Sequence, residues 1–175
     1  MAMTRKMLKA CVSLTTDCSE KESKSCGAFM DAKKPHILCI VNRYGGCIIN
    51  DNITDTDKQE ILTVCNTIKS IGFCKFFEPV FNKEFYPNDW VERLCINDVQ
   101  KLITVAKKTE DWKKHADIKV MLQRNFNSCY DRRLFVKIAR CIDGQRVTVH
   151  YPVKANQPII LSGKYGMGLV LPVMR

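Results

Sequence analysis

Short apolar segments punctuated by glycine alternate along this chain with longer stretches whose apolar positions recur every three or four residues. The longest unbroken apolar run, Ile37-Leu38-Cys39-Ile40-Val41, is followed by Arg43-Tyr44-Gly45-Gly46 and a second run, Cys47-Ile48-Ile49. Two such runs around a glycine turn predict a β-hairpin with strands at 36–42 and 47–50. In 56–71 the apolar positions Ile61, Leu62, Cys65 and Ile68 fall at helical spacing. Thr54 or Thr56 suits the N-cap, Asp55, Asp57 and Glu60 suit the positive end of the helix dipole, and Gly72 suits the stop. Phe73 to Phe81 alternates as a strand that Pro79 restricts to an edge. Helical turns are expected over 88–116: a short one from Asn88 or Asp89 through Leu94, one from Asn97 carrying Val99, Leu102, Ile103 and Ala106, and a third around Trp112.

From Ile118 onward the pattern predicts strands. Leu134–Ile142 and Gln145–Val153 flank Asp143-Gly144, the two-residue signal for a type I′ turn, and so predict a hairpin over 134–153. Its register places Val136, Ile138, Val149 and Tyr151 on one face and Lys137, Cys141, Arg146 and His150 on the other. A last hairpin is expected over 158–173, around Gly163 to Gly168. The glycines there do not read as a phosphate loop, because the apolar, Pro-containing segment Leu169–Val173 cannot supply the helix such a loop needs.

The reading is an α+β fold: antiparallel sheet with hairpins at 36–50, 134–153 and 158–173, packed with helices around 56–71 and 88–116. Residues 13–35 are polar, so residues 1–34 read as a flexible basic arm and 35–175 as one domain beginning near Pro35. Within the arm, Met3, Met7, Leu8 and Cys11 mark one face of a short helix and Arg5, Lys6 and Lys9 the other, the pattern of a surface-binding segment.

Charge changes the picture more than composition does. Residues 1–34 hold 7 basic and 4 acidic side chains, 35–100 hold 6 and 9, and 101–175 hold 15 and 5, so the last 75 residues alone account for a net +10. Segregated positive charge points to a polyanion, either nucleic acid or nucleoprotein, or an acidic membrane surface. Candidate contacts are Lys107, Lys108, Lys113, Lys114, Lys119, Arg124, Arg132, Arg133, Lys137, Arg140, Arg146 and Lys154, with Phe126, Tyr130 and Phe135 as candidates to stack on bases. Small, basic, motif-poor α+β proteins of this kind resemble the matrix proteins of enveloped RNA viruses in general character only, and no residue motif carries a family assignment.

The expected function is therefore that of a non-catalytic, polyanion-binding structural protein, with protein partners or homo-oligomers compatible. The alternatives are a protein-interaction module and, less favoured, a cysteine hydrolase, for which ten cysteines and three histidines offer many pairs but no defining spacing. No cofactor or metal is expected. His36, Cys39, Cys47 and Cys26 lack the paired Cys-x-x-Cys spacing of a zinc knuckle. The apolar runs are far shorter than the roughly 20 residues that cross a bilayer, and the N-terminal residues lack a signal-peptide core. An intracellular chain, in cytoplasm, nucleus or virion, is thus expected, with Cys39, Cys65, Cys95 and Cys141 as buried thiols.

Overall fold

The computed structural model describes residues 4–16, 25–31, 34, 36–50, 53–68, 77, 91–107 and 128–173. In chain order the elements are α1 (Arg5–Thr16), β1 (Gly27–Met30), β2 (Leu38–Asn42), β3 (Gly45–Ile49), α2 (Asp55–Val64), β4 (Val91–Cys95), α3 (Ile96–Lys107), β5 (Cys129–Tyr130), α4 (Arg132–Ile142), β6 (Arg146–His150), β7 (Ile159–Gly163), β8 (Gly166–Val170) and β9 (Pro172–Val173). Seven strands form one antiparallel sheet in the order β1-β2-β3-β8-β7-β6-β4, and β5 pairs with β9 in a second, two-stranded sheet. The α+β class with antiparallel hairpins is the observed one.

Alternation divides the large sheet into two apolar faces. Leu38 and Ile40 of β2, Cys47 and Ile49 of β3, Val147 and Val149 of β6 and Ile159 and Leu161 of β7 pack beneath the helices. Cys39, Val41, Ile48, Ile160 and Leu169 point the other way, together with Phe29 and Phe77. Cys39 and Cys47 therefore lie on opposite faces and cannot share a metal ion.

The hairpins β2–β3 and β7–β8 form where glycine turns were expected, and β3 pairs with β8 at the centre of the sheet. The helix over 56–71 is shorter than its pattern. It starts at Asp55 with Thr54 as N-cap, whose hydroxyl accepts from Asp57 N at 3.2 Å, and it ends at a Cys65 cap. The chain then extends so that Thr67 bridges in parallel to Ala28 on the β1 edge. Gly72 and the expected strand at 73–81 lie outside the described residues apart from Phe77, which is helical and not extended; the turn at Trp112 and everything from Lys108 to Asn127 lie outside them too.

Three expectations are corrected. Leu134–Ile142 is a helix, so there is no hairpin over 134–153. Asp131 caps it, accepting from Arg133 N at 2.8 Å, and Asp143 terminates it instead of turning a hairpin. The Asp143 carboxylate accepts from Gln145 N at 2.9 Å, Arg146 N at 3.2 Å and Lys164 N at 3.0 Å, which ties the end of α4 to β6 and to the β7–β8 turn. Second, residues 91–94 of the expected short helix through Leu94 belong to strand β4, paired with β6. Third, the fold does not begin at Pro35. Met7, Cys11 and Leu14 of α1 are buried in the main core, β1 is the sheet's first strand, and Asn42 Nδ2 donates to Leu14 O at 3.0 Å to close the end of α1. The apolar side of α1 is covered because it packs on α4, about 120 residues away in sequence.

Two glycines let α4 lie this close to the sheet. A Cβ on Gly45 would stand 2.7 Å from Ile138 Cδ1, and one on Gly168 would overlap Ile138 Cγ2. Beneath the α1–α4 contact the Cys11, Cys141 and Cys47 thiols form a hydrogen-bonded chain: the bond to Cys141 and burial hold Cys11 well above the ordinary thiol range, while at Cys141 the bond to Cys11 lowers the pKa but the bond to Cys47 and burial outweigh it and raise the thiol well above that range. Burial also raises Cys39, and raises Cys65 to about 11. Cys39, Cys65 and Cys141 are buried free thiols as expected, whereas Cys95, on strand β4, is only half-buried.

Candidate polyanion groove

α4 is almost wholly interior: Leu134, Phe135, Val136, Ile138, Ala139, Cys141 and Ile142 are all buried. What it leaves to solvent is polar, and Arg133, Lys137 and Arg140 follow one another at spacings of four and three, which sets them in a single stripe. α1 is built the same way, with Met7, Ala10, Cys11 and Leu14 inward and Arg5, Lys6 and Lys9 outward. Because the two helices pack together, their cationic stripes meet.

The result is an open groove of about 1080 Å³ between α1, α3 and α4. Arg5, Lys6, Lys9, Arg133, Lys137 and Arg140 line it, Asn97 and Gln100 of α3 and Gln145 add amide groups, and Met7, Ala10, Ile103 and Val136 form an apolar floor. No carboxylate lines it among the described residues. Arg133 pairs with the N-cap Asp131, to which it donates from Nε at 3.1 Å and Nη2 at 2.9 Å. That pair fixes the guanidinium at the rim of the groove.

The expected site residues separate into groups. Arg133, Lys137 and Arg140 come together in the groove. Arg132 and Arg146 line a smaller concavity of about 330 Å³ on the other side of α3, with Arg93, Leu94, Cys95, Asp98, Val99 and Leu102. The single basic face expected from a hairpin register is thus divided, because helical Lys137 is no longer a cross-strand neighbour of Arg146 and His150. Lys154 is exposed in the segment after β6 and lines neither concavity. Lys107 is the last residue of α3, and Lys108, Lys113, Lys114, Lys119, Arg124 and Phe126 lie outside the described residues.

Both described stacking candidates are corrected. Phe135 is 0% and Tyr130 is 1% exposed, each buried under the helices, and the Tyr130 hydroxyl donates to Gln157 O at 2.7 Å. Neither ring can reach a base. Conversely, Arg5, Lys6 and Lys9 were visible as the polar side of an amphipathic helix, but nothing in the sequence showed that they face α4.

His150 and Ser162 sit on the far face of the sheet, His150 Nε2 lying 2.9 Å from Ser162 Oγ. Burial lowers the imidazole's pKa, which keeps it neutral at physiological pH. The pair lines neither concavity and cross-links β6 to β7. Among the described residues no helix is long and apolar enough to cross a membrane, and no group of His, Cys, Asp and Glu is arranged to hold a metal ion. No protein-family model and no curated protein matches this chain, which leaves its own residues as the ground for a functional reading.

Proposed function

We propose that the protein is a non-catalytic nucleic-acid-binding protein that grips a phosphate backbone in the groove between α1, α3 and α4. The observation that carries this reading is the convergence of two cationic stripes, from residues 5–9 and 133–140, on one groove with no acidic lining residue among the described ones. Like charges gathered this way repel one another in the free protein, and a polyanion relieves that cost while releasing its own counterions. Among the described residues the groove offers amides and cations but no aromatic ring, so it suits contact with phosphates more than readout of bases. A flat acidic membrane suits it less well. The apolar side of α1, which an interfacial helix would insert into lipid, is already consumed by the core. An intracellular setting with reduced thiols belongs to the same proposal.

Anisotropy titrations with single-stranded RNA and DNA, alongside flotation with phosphatidylserine vesicles, test it. Binding to nucleic acid should show a log–log salt slope of about −3 to −4, as neutralising roughly five single-strand phosphates implies. The double variant K137E/R140E should bind several-fold more weakly at physiological salt, with a slope shallower by about 1 to 2. Tighter binding to vesicles than to nucleic acid would transfer the groove to a membrane surface. Unchanged binding by the double variant would leave the basic stripe a solvated face and favour the interaction-module reading.

A further inference from the structure

The smaller concavity has a chemistry of its own. It lies where the chain turns from β4 directly into α3, the junction being held by Ile96 N donating to Gln145 O at 2.9 Å. Cys95 stands opposite Arg146 in the β4–β6 register and Arg93 opposite Thr148, so Arg93 and Arg146 share one face of adjacent strands, the one opposite Val147 and Val149, at the edge where β4 leads into α3. Arg132 reaches the pocket from the first turn of α4, partly buried, and its guanidinium pKa is lowered by that burial. Arg93, Arg132 and Arg146 thus all line one concavity of about 330 Å³, whereas the large groove mixes arginine with lysine. Guanidinium is the group whose planar fork matches a terminal phosphate with paired hydrogen bonds. The acid in the lining, Asp98, is ion-paired with Lys101 at 3.1 Å.

The rest of the described lining is apolar. Leu94 and Val99 face the pocket, and Leu102, 41% exposed, is one of the few large apolar side chains the described residues leave to solvent. An inorganic anion would use the arginines and leave these side chains wet. A ligand with an apolar or aromatic body attached to its phosphate would use both, and the volume lies at the small-molecule end of ligand pockets, about 300–1,000 Å³. On α3, Asp98, Val99 and Leu102 turn toward this pocket and Asn97, Gln100 and Ile103 toward the groove, so the two concavities share no lining residue among the described ones.

We propose that the pocket bounded by Arg93, Arg132 and Arg146 is a separate binding site for a phosphate monoester that carries an apolar or aromatic group. A free mononucleotide and the phosphorylated end of a nucleic-acid strand share that chemistry. The site stands whether or not the groove binds nucleic acid.

Isothermal titration with AMP, phenyl phosphate, adenosine and inorganic phosphate reads it directly. The two monoesters should bind, inorganic phosphate about tenfold or more weakly, and adenosine not at all. R93Q/R146Q, at two exposed positions with the fold checked by circular dichroism, should weaken the monoesters about tenfold or more. The groove variant K137E/R140E should bind them as the parent does, so failure of one site is distinguishable from failure of the other. Competition then identifies the source. If a 5′-phosphorylated oligonucleotide displaces AMP from K137E/R140E better than its 5′-hydroxyl counterpart and better than AMP itself, the ligand is a strand end; otherwise it is a free monoester. Absence of monoester binding at millimolar concentration, or binding unaffected by R93Q/R146Q, would overturn the proposal.

Discussion

Substituting Gly168 by alanine tests both the helical state of residues 132–142 and the depth at which α4 sits. The added Cβ would overlap Ile138 Cγ2 and stand 3.2 Å from Gly46 O, tighter than ordinary contact, while Cys47 Cβ at 3.5 Å is in ordinary contact. Most of the strain therefore falls on one side chain of a fully buried helix position, with a smaller part on the Gly46 carbonyl. Overpacking of this kind costs about 1–3 kcal/mol. Ile138→Ala alone should cost about 2–5 kcal/mol through lost burial and the cavity left behind. In combination the new methyl occupies space that Ile138 vacates, so I138A/G168A should be more stable than the sum of its parts by about 1 kcal/mol or more. Ile138→Val retains the clashing methyl and should add to G168A within about 0.5 kcal/mol. Urea unfolding of the variants measures the cycle, and for a chain of this size each kcal/mol also moves Tm by about 2–4 °C. Additivity of I138A and G168A within about 0.5 kcal/mol would show that α4 does not rest on Gly168, and the floor of the groove would have to lie elsewhere.

Asp143→Ala removes the acceptor for three backbone N–H groups at the end of α4 and should lower stability by about 1–3 kcal/mol in the same assay. His150 has its pKa lowered by burial, so on acidification the unfolded chain takes up the proton first. Its neutral-state contribution is full above about pH 6.5 and is lost as pH falls through the folded value, and H150Q should flatten the stability profile between about pH 7 and 5. Peptide mapping after timed iodoacetamide treatment should find Cys95 modified first among Cys11, Cys39, Cys47, Cys65, Cys95 and Cys141, because the other five are buried. Equal labelling of Cys141 in the native protein would contradict the buried thiol chain.

Local chemistry settled the hairpins β2–β3 and β7–β8 and the start of α2 without reference to the rest of the chain. A glycine turn between two apolar runs, or Thr54 before a helical pattern, acts through backbone geometry and hydrogen bonds a few residues away. The sign of the charge along the chain was equally plain. Leu134–Ile142 was misread because a helix buried on nearly every side has almost as many apolar positions as a buried strand, and Asp143-Gly144 supplied a false turn. The surviving helical signal lay in its polar positions, Arg133, Lys137 and Arg140, behind the Asp131 cap.

Whether Tyr130 and Phe135 stacked on a ligand or filled the core also depended on what lay above them, which spacing does not encode. Tertiary structure alone decided the groove. The cationic side of α1 and that of α4 become one surface only because their apolar sides are buried against each other over two close-packed glycines, and contacts between residues so far apart leave no periodic trace in either segment.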